Sequence, residues 1–351
     1  MTRSSTRRFT ALTVGVISLA LMLAGCATLD ADETPENDDV NSLLPPAEGK
    51  TEYPVTLTTQ AGEIVLEERP ERVAAVGSSG MDAELIVALG GTPVFAIEPP
   101  LWVVEASPKP IEQTVEGGGD FPIEKIATSQ ADLILGTTLG LEVFFAQLSD
   151  IAPLLGTPLE EDQGSGWRSR LRILGEALDL QDKAEQAIAT NEQFFEQAHT
   201  EYPELQGKTA AYLIYAGEGA GLQYRSFSGS NVEDFLDSLG FARNPAAESF
   251  VDDISVSPEN LLSADAEYVI LSNVGSVSES ELSEVKGQPL WERLGAVQSG
   301  RWVQIGNTRS GYTFDCQEYE GNLASAMAYA GPLSQVWAAE IMLPILSSLT
   351  D

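Results

Sequence analysis

Histidine is almost missing from this sequence: His199 is the only one. A multi-histidine metal cage is therefore excluded, and histidine acid–base chemistry would rest on a single side chain. Cysteine is nearly as scarce, with Cys26 and Cys316 alone. Positive charge is thin as well, since 19 Lys and Arg stand against 53 Asp and Glu, a formal charge of −34. A chain this acidic offers no broad basic surface to a phosphate backbone, so nucleic acid is excluded as a partner. No G-x-x-x-x-G-K-[ST] phosphate loop occurs, which excludes the ATPase that such a loop would mark. Gly77-Ser-Ser-Gly80 comes near a G-x-S-x-G nucleophile elbow, but Met81 holds its last position. A Ser-His-Asp triad would have to use His199, which the periodicity puts in a helix rather than on a strand-end loop. An anchored hydrolase is thus the rival class, with no carboxylate pair singled out by spacing, and the chain is not expected to be an enzyme.

The 351 residues suffice for two domains, and 43% hydrophobic residues suffice for a sizeable core. Arg3, Arg7 and Arg8 precede an uncharged run from Ala11 to Gly25. That run is short for a membrane-spanning helix and reads as the core of a signal peptide over residues 1–25. It ends in Leu23-Ala24-Gly25-Cys26, which resembles the lipobox of bacterial lipoproteins. The resemblance implies that Cys26 becomes the first mature residue, lipidated on sulfur and held on the extracytoplasmic face of the cell membrane by several acyl chains. Processing would leave 16 basic residues against the same 53 acidic ones, a formal −37, and Cys316 as the only other thiol. No intrachain disulfide is then possible. Six of the ten residues from Asp30 to Asp39 are acidic and Pro45-Pro46 follows, so residues 26–52 are expected to form a solvated acidic tether.

The folded part is expected to start at Tyr53. Val55-Thr-Leu-Thr and Ile64-Val-Leu around Gln60-Ala-Gly predict a hairpin. Short apolar strands then alternate with helical patterns: Val73–Val76, a helix from Met81 to Leu89, Val94–Ile97 and Leu133–Leu135. This alternation predicts a parallel α/β sheet over residues 53–163. From Trp167 to His199 there is no proline and only Gly175. Apolar residues recur there at helical spacing, which predicts one long helix within 164–202, kinked near Asp179. The α/β alternation restarts over residues 203–351.

The halves echo each other. Glu124 and Glu259 each open a segment in which an acid eight residues on, Asp132 or Glu267, precedes a buried-looking strand. Upstream, each half has a small-residue loop leading into a helix that ends in Leu-Gly, at Leu89-Gly90 and Leu239-Gly240. The expected architecture is α/β: two Rossmann-like lobes joined by a single long α-helix, with a ligand cleft between the lobes.

Arg69-Pro-Glu-Arg-Val-Ala-Ala-Val-Gly77, Asp82-Ala-Glu-Leu-Ile-Val-Ala-Leu-Gly90, Ala131-Asp-Leu-Ile-Leu135 and Gly331-Pro-Leu-Ser334 before a C-terminal helix carry a family resemblance. In this order, behind a lipobox, they resemble the cluster III substrate-binding lipoproteins of ABC importers, which serve ferric siderophores, haem and cobalamin. The resemblance implies a monomer that binds its ligand in the interlobe cleft and docks on the ABC permease transmembrane subunits. In cobalamin- and hydroxamate-binding relatives one surface glutamate per lobe pairs with permease arginines, and the matching positions are Glu124 and Glu259. No resident cofactor is implied, the ligand being an Fe(III)-siderophore, with haem or cobalamin as the alternatives.

A compact, often anionic chelate is best met by arginine and aromatic rings on loops beyond the carboxyl ends of strands. That reasoning selects Trp102, Tyr224, Arg225, Arg309 and Tyr312 as ligand-binding candidates. Arg168, Arg170 and Arg172 alternate along a helix, share no face, and read as a solvated helix start. Cys316 reads as a buried, inert thiol, and His199 as a water-facing residue near a helix end.

Overall fold

The computed structural model describes residues 42–350 except 78–79, 118, 138–139, 160–165, 276, 309–310 and 330. Cys26 and Arg309 lie outside the described residues. The predicted hairpin is present: β1 (Val55–Thr59) pairs antiparallel with β2 (Gly62–Leu66), Thr59 opposite Gly62.

In the N-terminal lobe β3 (Val73–Ala75), α1 (Met81–Ala88), β4 (Phe95–Ile97), α2 (Leu101–Ala106), β5 (Gln113–Val115), α3 (Ile123–Thr128), β6 (Leu133–Leu135), α4 (Phe145–Ser149) and β7 (Leu154–Leu155) follow one another. The strands form a parallel sheet in the order β5-β4-β3-β6-β7. β3, β4 and β6 are buried on both faces, as their continuous apolar runs require.

α5 (Trp167–Ala177) and α6 (Gln181–Glu201) follow. They turn the expected kink near Asp179 into a break, so the single long connecting helix is α6 rather than the whole of 164–202. Arg168 pairs with Glu192, Arg172 with Glu185, and Gly175 abuts Ala184, so the two helices run antiparallel. The chain reverses at Asp179, which has left-handed φ of 54°. Its carboxylate accepts the backbone N–H of Gly49, Lys50 and Thr51 at 2.7–2.9 Å, and Glu48 in return accepts the N–H of Asp182 and Lys183 at the start of α6. The connecting strut is thus α6 alone, whose 21 residues reach about 30 Å. At its far end the His199 imidazole donates to Ser238 O at 2.8 Å rather than facing water.

The same contacts correct the tether. Leu44 is buried against Gly91, Leu43 O accepts from Thr92 N, and Arg69 donates to Pro45 O. The chain is therefore packed on the N-terminal lobe from Ser42 onward, eleven positions before Tyr53.

The C-terminal lobe contains β8 (Ala210–Tyr215), β9 (Leu222–Tyr224), α7 (Asn231–Ser238), β10 (Ser255–Val256), β11 (Tyr268–Asn273), α8 (Glu279–Lys286), α9 (Gly295–Gln298), β12 (Trp302–Asn307), β13 (Gly311–Phe314), β14 (Gln317–Glu320), α10 (Leu323–Tyr329) and α11 (Ser334–Ser347). Its sheet, ordered β10-β9-β8-β11-β12-β13-β14, is parallel only at β8-β11-β12 and antiparallel at both ends.

The internal echo has a physical basis. Asp132 accepts the N–H of Glu71 and Arg72 at 2.9 Å and so ties the start of β6 to the start of β3. Glu267 accepts the N–H of Thr209 at 3.1 Å and ties β11 to β8 in the same way. α1 and α7 close alike, with Gly91 N donating to Ile86 O and Phe241 N to Leu236 O around the left-handed Gly90 and Gly240. Each closure is a helix stop that a β-carbon would strain. One apolar cluster runs through both lobes by way of α5, α6, α7, α10 and α11, and a separate cluster fills the far face of each sheet.

Candidate ligand cleft

Parallel sheets present helix N-termini and loops at the carboxyl ends of their strands, and ligands bind there. β4 is followed by Glu98, whose φ of 45° turns the chain into Pro99-Pro100 and α2. Across from it β14 ends in Glu320-Gly321 before α10. Between these segments lies a cavity of about 600 Å³ lined by Glu98, Trp102, Glu320, Asn322, Ser325 and Tyr329, with both lobes contributing.

An aromatic ladder backs it. Trp102 lies 5.3 Å from Trp337 of α11, Trp337 is met edge-on by Tyr312 at 6.4 Å, and Tyr312 stacks on Tyr319 at 4.9 Å. The ladder therefore crosses from α2 to the β13–β14 hairpin. Gly321 makes room for it, because a β-carbon there would sit 2.7 Å from the Trp337 ring.

Two buried carboxylates brace the floor. Asp82, at 0% exposure, accepts Gly77 N at 2.6 Å and the Thr137 hydroxyl at 2.5 Å, joining the loops after β3 and β6. Glu84 takes four donors: Leu333 N and Ser334 N at 2.7 Å, Ser334 Oγ at 3.0 Å and Trp102 Nε1 at 3.1 Å. It thus caps α11 and positions Trp102 together.

Burial pushes the Asp82 carboxyl up to about 6, against the hydrogen bonds from Thr137 and Gly77 and the charge of Arg170 that pull it down. Burial raises Glu84 as well. An acid raised above its unfolded value of 3.8 contributes stability that is full below that value and lost as pH rises through about 6. Denaturant unfolding is expected to give a less stable chain at pH 7.5 than at pH 4.5. Asp82→Asn should cut that difference by about 2 kcal/mol; an unchanged difference would mean that Asp82 stays ionised throughout.

Of the sequence candidates, the cleft brings together Trp102 and Tyr312, joined through Trp337. Trp102 lines the cavity at 3% exposure, and Tyr312 sits behind it at 6%. Tyr224 is corrected to a core residue: it has no exposed surface and stacks on Phe250 at 4.3 Å. The alternation of β9 turns Tyr224 into the far cluster of its sheet and puts Arg225 on the opposite face, half-buried, with Nη1 donating to Gln223 Oε1 at 3.4 Å. Cys316 is exposed at the β13–β14 tip rather than buried. Glu124 and Glu259 are exposed, each just after a proline at the start of a helical segment. Both segments follow a strand aligned with its parallel core (β5 and β10), so each glutamate lies at the carboxyl edge of its own sheet.

Trp337, Tyr319, Tyr329 and Glu84 escaped the sequence reading. Trp337 and Glu84 sit in helices apolar nearly all round, which hides any functional face.

A family model described as "Periplasmic binding protein" matches residues 73–308. A protein of Bacillus subtilis (strain 168), described as a probable siderophore-binding lipoprotein, YfiY, is 24% identical over 254 residues, covering 67% of this chain and 75% of its own. Among solved structures, Streptococcus pneumoniae PiaA in complex with ferrichrome superposes with a TM-score of 0.64 at 20% identity, covering 84% of this chain and 98% of that one. Staphylococcus aureus SirA complexed with staphyloferrin B gives 0.61 at 18% identity, over 84% and 98%. These structures share the fold.

Proposed function

This chain belongs to the periplasmic binding protein family, and from that premise we propose that it is the lipid-anchored, extracytoplasmic receptor of an ABC importer, capturing a ferric siderophore in the interlobe cleft. The observation that carries the reading is the cavity of about 600 Å³ walled by an aromatic residue from each lobe, Trp102 and Tyr329. That volume suits a small chelate, within the range of about 300–1,000 Å³ usual for such pockets. Ring faces cover the carbons of the chelate, while Asn322 and Ser325 offer hydrogen bonds to its oxygens. The relative described as siderophore-binding supports the ligand class, and Leu23–Cys26 supports the anchor.

Closure is modest, because α6 and the cluster running through both lobes resist bending. Asn191 in the middle of α6 donates to Pro332 O at 3.0 Å and holds the strut against the segment leading into α11. The loaded receptor then presents Glu124 and Glu259 to guanidinium groups of the permease.

Tryptophan emission tests the reading, since Trp102 lines the cavity and Trp337 touches Trp102. Titration of the mature chain with ferric staphyloferrin B, ferrichrome and ferric Desferal is expected to give a saturable 1:1 change with at least one of them. A flat response to all three, with saturation by haem or cobalamin, would overturn the ligand assignment.

A further inference from the structure

Glu84 divides its two oxygens between the lobes. Oε1 accepts Leu333 N, Ser334 N and Ser334 Oγ at the start of α11, and Oε2 accepts Trp102 Nε1 at 3.1 Å. One carboxylate therefore ties the helix that carries Trp337 to the indole that lies 5.3 Å from Trp337. Glu84 itself does not line the ligand cavity.

A second cavity, of about 610 Å³, is lined by residues of α1, α2, α6 and α11, Trp337 among them. Trp102 lines it too, and among the described residues Trp102 alone lines both this cavity and the ligand cavity. It is thus the boundary between two volumes of nearly equal size. The Trp337 ring is tilted by 36° against it rather than stacked, so that contact leaves the indole free to turn in its plane. An indole has a single polar hydrogen, and Glu84 is the group that fixes its direction.

Resting on the ferric-siderophore reading, we propose that Glu84 is a positioning residue for ligand binding: through the indole N–H it holds Trp102 as the wall between the ligand cavity and the second cavity. Chelate affinity then depends on Glu84 through Trp102, without contact between Glu84 and the chelate. Because the same carboxylate holds the start of α11, a chelate that presses on Trp102 bears on the contact between the lobes and not on a free side chain. In Glu84→Gln only one atom of the side chain still accepts, while the NH2 group donates. The three donors of α11 claim the oxygen, which leaves the NH2 group facing the indole N–H, donor against donor. Trp102 then turns away, and the second cavity gives it room.

Calorimetric titration of the mature chain with ferrichrome, ferric staphyloferrin B and ferric Desferal, together with the indole proton resonance of Trp102, tests this. Glu84→Gln should weaken the chelate complex about tenfold, the value of one hydrogen bond to a charged group, and should move the Trp102 indole proton upfield. Trp102→Phe, which keeps a ring and loses the donor, should weaken it by a similar factor. The double variant should stay within about threefold of Trp102→Phe alone, because Glu84 then has no indole left to hold. Ser334→Ala removes a donor on the α11 side only; it should lower stability yet leave the resonance in place and the affinity within about twofold. Losses that multiply in the double variant, or wild-type affinity in Glu84→Gln, would overturn the positioning role and leave the receptor reading standing. Should Glu84→Gln fail to fold, unchanged affinity in Trp102→Phe, or an equal loss in Ser334→Ala, overturns it instead. A wild-type chain that binds none of the three chelates overturns both.

Discussion

Reversing charge at Glu124 and Glu259 together, as Glu124→Arg with Glu259→Arg, is expected to abolish importer-dependent uptake while the purified chain keeps its ligand affinity within about twofold. The expectation rests on the proposed receptor role and on placement. Both side chains are exposed, so neither is needed for the core. Both follow a proline that starts a helical segment at the carboxyl edge of a sheet, one in each lobe. Two carboxylates so placed offer the partner one anchor per lobe. Carboxylate–guanidinium pairs are charge-assisted and often bidentate, which fixes orientation as well as affinity. With arginine at both positions, each attraction becomes a like-charge contact, and such contacts cost several kcal/mol at an interface. Single reversals should leave partial uptake. Uptake by whole cells and calorimetry on the purified variant separate the two readouts: lost ligand affinity in the double variant would refute the docking assignment, as would uptake at wild-type rate.

The second large effect is on stability. Glu84→Ala should lower the unfolding free energy by about 3–4 kcal/mol in denaturant titrations, with Trp102 emission shifted to the red. Glu84 is 1% exposed and satisfies two backbone N–H groups at the start of α11, one hydroxyl and one indole. Removing it strands four donors, each worth about 1–3 kcal/mol when left buried and unpaired, offset by relief from holding a buried carboxyl. Gly331 packs so closely on the carboxylate that a β-carbon would fall 2.4 Å from it, so water has little room to substitute until the loop moves. Glu84→Gln keeps the shape but offers one acceptor instead of two, and should fall between. A loss under about 1 kcal/mol in the alanine variant would mean that α11 is capped from elsewhere.

Much of the architecture was legible because it is local. The hairpin follows from Gln60-Ala-Gly between alternating strands, and the helix stops at Gly90 and Gly240 follow from a left-handed position that glycine fills without strain. The matched acids Asp132 and Glu267 could be seen eight residues past Glu124 and Glu259, although their shared task of tying a parallel strand pair appeared only when both partners were placed. The reversal at Asp179 was not legible. It depends on N–H donors about 130 residues earlier, in a segment whose composition reads as solvated tether.

The sequence alone determined the two α/β halves and the exposed glutamate in each, since strand–helix alternation and proline-started helices are written in contiguous residues. Only the tertiary structure decided which side chains face the cleft. Strand pleat and helix rotation are fixed by partners distant in the chain, and they sent Tyr224 into the core and joined Trp102 to Tyr312 through Trp337.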